Sequence, residues 1–173
     1  MAGRQRLQGV ERYPSGKVVP VKVDAKAIAM LQPHRRSVEI ELRCAQEAGT
    51  SIGRLYLREL IDWDQYEAGT VWHGIVVRYR ALIEAPNPAP GAWPFDRARG
   101  PGSVIDPEEA IDRKERYDLG HDGLMRLAGR ATLMVVTSVC IHGLDPPHVW
   151  LPQLKFGLST LHRVLGLTSG RKS

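Results

Sequence analysis

The most regular alternation of apolar and polar positions lies in residues 51–85. Ala68, Val71, Trp72, Ile75, Val76, Tyr79, Leu82 and Ile83 recur every three or four residues, which places them on one helical face. Asp62 is positioned to cap this helix, because its carboxylate can accept from the free amides of the first turn. Gln65, three residues on, completes a capping box. Asp64 suits the positive end of the helix, Arg78 and Arg80 the negative end, and Pro86 stops it. Upstream, Gly49-Thr50-Ser51 breaks the chain. Ile52, Leu55, Tyr56 and Leu60 then share a face, with Arg54 and Arg58 on the other. The pattern predicts a hairpin of two helices joined by a very short turn.

Around this hairpin the pattern weakens. Residues 24–31 predict two helical turns capped by Asp24 and ended before Pro33. Residues 37–48 predict another short helix, with Ser37 as cap, Val38, Leu42 and Ala45 inward, and Ile40 as a further candidate for that face. Residues 86–104 contain five prolines and three glycines, so a linker is expected, with Trp93 and Phe95 pinning it to the domain. Asp106-Pro107-Glu108-Glu109 opens a helix running to about Ala128, with Ala110, Tyr117, Leu124, Leu127 and Ala128 inward. Gly120 and Gly123 weaken its middle by about 1 kcal/mol each. Residues 130–142 are apolar nearly all round and fit either helix or strand; helical neighbours favour helix. A final helix starts near Pro152. Its Leu151, Leu154, Leu158, Leu161 and Leu165 form a seam that serves either as core or as a subunit interface.

These elements predict an all-α chain of about six helices in two hairpin-like halves. The expected divisions are an arm (1–22), an N-terminal half (23–85), a linker (86–105), a C-terminal half (106–167) and a short tail (168–173). Glycines and prolines interrupt residues 1–22, which are expected to stay disordered; Val18, Val19, Val21 and Val23 offer an edge strand that Pro20 opposes.

Charge changes the picture most at that end. Residues 1–36 carry eight Lys and Arg against two acids, a net +6 within a chain total of +5, so the remainder sums to −1. Such an arm is drawn to polyanions by a salt-sensitive term independent of sequence. Arg4, Arg6, Arg12 and Lys17, supported by Arg35 and Arg36, are the candidate DNA-phosphate contacts; a merely solubilising tail is the other reading. No stretch approaches the roughly 20 apolar residues of a membrane span, and the N-terminus lacks the apolar run of a signal peptide. With only Cys44 and Cys140, a reduced cytoplasmic protein is expected, both thiols being small core residues.

Signatures of chemistry are sparse. The six histidines and two cysteines form no pattern at ligand spacing, so no metal is expected, and no cofactor motif is present. A nucleophile elbow and a P-loop are absent. His121-Asp122 is an acid–base pair by type, without a third group in view. The hairpin resembles a helix-turn-helix in outline, but Asp62, Asp64 and Glu67 occupy the turn that would meet DNA, which argues against groove reading.

Tyr13-Pro14-Ser15-Gly16-Lys17, Leu55 to Leu60, Gln65-Tyr66-Glu67-Ala68-Gly69, Tyr79-Arg80, Arg116-Tyr117-Asp118 and Leu154 to Gly166 together resemble small uncharacterised proteins of alphaproteobacterial phages and prophages. That resemblance implies a cytosolic accessory protein of the transcription-regulator or DNA-packaging kind, often oligomeric, and carries no activity onto named residues. The expectation is a non-enzymatic DNA-associated protein. A helical protein–protein adaptor is the alternative.

Overall fold

The computed structural model describes Pro14, Ser15, Lys17 and residues 24–83 and 106–169. Arg4, Arg6 and Arg12 of the arm, residues 86–105 with Trp93 and Phe95, and residues 170–173 lie outside the described residues. Among the described residues the fold is all-helical, with six α-helices and no strand: α1 (Ala25–Leu31), α2 (Ser51–Leu57), α3 (Trp63–Leu82), α4 (Pro107–Leu127), α5 (Gly129–Cys140) and α6 (Leu151–Val164). None of these helices is long and apolar enough to cross a membrane.

Local chemistry sets the helix starts. Asp24 accepts from the Lys26 amide, Thr50 from Gly53 and Asp106 from Glu108. Asp62 and Gln65 form the full reciprocal capping box. Between α2 and α3 the Glu59 amide donates to the Tyr56 carbonyl and the Leu60 amide to the Leu55 carbonyl, both at 2.9 Å. That pairing is a Schellman ending, and it places Glu59 at φ 55°, where glycine is the usual occupant.

The expected halves on either side of residues 86–105 share one core. Ile52 and Leu55 of α2 and Ala68, Trp72 and Val76 of α3 join Leu124, Val136, Val139, Leu154, Leu158 and Leu161 in a single cluster. α3 packs chiefly along α6, and α4, α5 and α6 pack on one another. Glycines within helices allow these approaches. A methyl group at Gly120 would overlap the Trp72 ring, and one at Gly157 would sit 2.6 Å from Val136 Cγ2. The helix weakness expected at Gly120 therefore coincides with close packing. Leu127, expected inward, is exposed.

The segment before α2 departs from expectation. In place of a helix over 37–48 the chain makes 3₁₀ turns at Pro33–Ser37, Ile40–Leu42 and Glu47–Gly49. The cause lies in the carbonyls. Arg35 Nη1 donates to the Arg43 and Ala45 oxygens at 2.7 and 2.8 Å, while Arg43 donates to the oxygens of Val38 and Arg36. Those four carbonyls are bound by guanidinium groups in a path that is not an α-helix. Val38 is buried, but Leu42 and Ala45 are only half-buried.

Candidate functional site

The sequence-selected cations separate into two roles. Lys17 and Arg36 are exposed. Arg35 is not a free phosphate contact, since its guanidinium binds the Gln32 side chain and two carbonyls. It belongs to the scaffold of residues 32–45, which removes it from the phosphate-contacting set.

The leucine seam also resolves. Leu154, Leu158 and Leu161 have no exposed surface, and Leu151 and Leu165 pack against the same cluster. An interface needs side chains that reach a second molecule. Leu154, Leu158 and Leu161 are consumed by the chain's own core, which favours the core reading of the seam over the subunit interface, while Leu151 and Leu165 remain half-buried at its ends.

Arg54 reverses its expected placement. Periodicity set it on the outer face of α2, yet its side chain is only 6% exposed and pairs with Asp145 at 2.6 Å. Ser51 Oγ lies 2.8 Å from the Leu144 carbonyl and 2.9 Å from the Asp145 carboxylate, so α2 is tied to the α5–α6 connection. The buried Arg54 Nε has no hydrogen-bond partner. His34 lies close enough for Arg54 to affect it: burial, then Arg54 and Arg35, lower its pKa from 6.5, with Asp145 opposing. Only the isolated polar residue in the α2 pattern, together with the Asp145-Pro146-Pro147 turn, hinted at this pair in the sequence.

Cys140 is buried, which pushes its thiol pKa up to about 12. Cys44 is exposed, contrary to its expected core position, and both thiols are free. Arg43 and Cys44 form a turn between two of the 3₁₀ turns rather than part of an inward helical face.

Acids remain at the start of α3. Asp62 is committed to its cap, and Asp64 Oδ2 accepts from Ser169 Oγ at 2.7 Å. Tyr56, Trp63 and Tyr66 form a triangle of ring contacts beside them, with centroids 5.0–5.7 Å apart. Burial, followed by nearby Glu47, raises the Tyr66 pKa. A cleft of about 610 Å³ adjoins this corner, lined by Tyr56, Leu57, Glu59, Leu60, Ile61, Asp62, Gln65 and Lys155.

A second cleft, of about 480 Å³, lies between α3, α4 and α5. Trp72, Tyr79, Tyr117 and His121 line it with Arg80, Thr137 and a set of aliphatic side chains. The His121–Asp122 contact, at 3.2 Å and exposed, stands at its edge. This convergence was not legible beforehand, because Tyr79 and Tyr117 read simply as members of two separate apolar faces. Among the described residues, no group of three or more His, Cys, Asp or Glu side chains is placed to hold a metal ion.

No protein-family model matches this chain, and no curated protein or solved structure matches it.

Proposed function

We propose that the chain is a non-enzymatic, DNA-associated accessory protein whose basic N-terminal segment supplies sequence-independent affinity for phosphates. The observation that carries this reading is the concentration of charge. Residues 1–36 hold a net +6 while the rest of the chain is close to neutral. Arg4, Arg6, Arg12 and Lys17 are the contacting residues, with Arg36 in support. Arg35 is excluded by its carbonyl hydrogen bonds.

The helical body then serves as the anchor for that segment. Groove reading by α3 is disfavoured by Asp62, Asp64 and Glu67 at its start, where base edges and phosphates would lie. The adaptor alternative is weakened because Leu154, Leu158 and Leu161, the middle of the leucine seam, are enclosed.

A salt titration of binding to a random-sequence duplex tests the proposal. The comparison is between the full chain and the full-length variant with Arg4, Arg6, Arg12 and Lys17 changed to Gln. Each phosphate contact contributes about −0.9 to the slope of log affinity against log salt, so the variant should show a visibly flatter line. No duplex binding by the native chain at low salt would reject the proposal.

A further inference from the structure

We propose that the cleft between α3, α4 and α5 binds a nucleobase carrying a phosphate, either a free mononucleotide or one unstacked residue of a single strand. This site is lined by none of the residues named for the arm and does not depend on the duplex-binding reading.

The size is suitable. At about 480 Å³ the cleft falls within the roughly 300–1,000 Å³ typical of small-ligand sites. Its aromatic lining is gathered around Tyr117 in near-parallel pairs. The Tyr79 and Tyr117 rings are 4.0 Å apart and within 9° of parallel, Trp72 lies 5.7 Å from Tyr117 at 15°, and His121 lies 5.6 Å away at 22°. A flat base added to this series would continue the same stacking, which any base can supply through its π-face. Trp72 belongs to the core, whereas Tyr79, Tyr117 and His121 are each only half-buried.

The polar groups favour an anionic, acceptor-rich ligand. Arg80 lines the cleft and forms no ion pair among the described residues. Of the α4 carboxylates that act on Tyr117, Asp118 is paired with Lys114 and Asp122 contacts the His121 ring. Arg80 lines the same cleft as Tyr79 and Tyr117, which sets its guanidinium within the cleft's aromatic wall. Burial, followed by the influence of Tyr79, raises the Tyr117 pKa from its ordinary value. A guanidinium fork binds phosphate oxygens in bidentate fashion, and a neighbouring stack holds the base.

The test is an NMR titration of the isotope-labelled full chain with AMP, with adenosine and with a short oligothymidylate, following the Trp72 indole and the Arg80 side chain. AMP should shift both and bind about tenfold more tightly than adenosine, the increment expected of one charge-assisted contact. Arg80→Gln should erase that increment. Ile83→Glu, at the exposed mouth, should weaken AMP more than adenosine through charge repulsion, without removing a core side chain. Binding of AMP identifies a free nucleotide as a sufficient ligand. Oligothymidylate binding without AMP binding, still lost in Arg80→Gln, identifies a strand as the source. No shift at the cleft with either ligand overturns the proposal, as does an AMP advantage that survives both substitutions. Loss of duplex binding in the arm variant, with the cleft shifts intact, would concern the arm alone.

Discussion

Residues 24–50 and the bundle of α3–α6 are held by opposite means. In the bundle, Leu124, Leu154, Leu158 and Leu161 are completely enclosed and Trp72 almost so. In the N-terminal stretch α1 buries no residue at all, and Ile28, Met30 and Leu31 remain exposed. Val38 and Ala48 are buried there outside the main cluster, and two arginines bind backbone carbonyls across the stretch. Apolar burial is non-directional and grows with area, whereas a guanidinium–carbonyl network depends on a few specific bonds. The first tolerates small shifts while preserving its topology. The second fixes an irregular path for which no regular helix provides partners.

The largest test of this contrast is Leu158→Ala. Removing a fully enclosed side chain from the α3–α6 contact should cost about 2–5 kcal/mol in denaturant unfolding, whereas Ile28→Ala in α1 should change stability by less than about 0.5 kcal/mol. Equal losses would show that α1 is buried in solution.

Asp145→Ala comes next, because it leaves the Arg54 guanidinium buried without its partner. The exposed side of Asp145 screens the pair, so the expected loss is about 1–3 kcal/mol. A double-mutant cycle with Arg54→Met would show whether the penalty arises from the stranded charge; additive losses would contradict it.

Glu59→Gly should act in the other direction. It relieves the left-handed backbone at the α2 ending, and a gain of up to about 1 kcal/mol is expected in the same unfolding assay. A loss would indicate that the glutamate side chain makes a compensating contact.

The smallest effect concerns pH. Because the folded His34 pKa is depressed below 6.5, folding favours the neutral ring. Its contribution to stability is complete above the unfolded pKa and is lost as pH falls through the folded value. The thermal midpoint should therefore decline on acidification below about 6.5, and His34→Gln should decline less. Identical pH profiles would remove His34 from the account.

What the sequence revealed followed the range of the interactions involved. The caps at Asp24, Asp62 and Asp106 use neighbours two or three residues away, and each formed as the local pattern predicts. Residues 37–48 did not, because the decisive donors belong to Arg35 and Arg43 and their carbonyl partners lie outside helical spacing. Arg54 was misplaced for a similar reason: its partner is 91 residues away. The aromatic cleft requires side chains from three helices, so no single stretch displayed it. The charge of the arm was plain in the sequence, but only the structure distinguished Arg36, which is exposed, from Arg35, which is bound to the backbone.

The two thiols give the molecule a built-in gauge of its own opening. A modifying reagent added to the native chain meets Cys44 at the surface, while Cys140 is enclosed and its thiol stays protonated. Labelling should thus proceed in two stages, one site promptly and the second only as fast as α5 is uncovered. The delay between them converts a mass measurement into a clock for the breathing of the bundle, without a spectroscopic tag or any change of sequence.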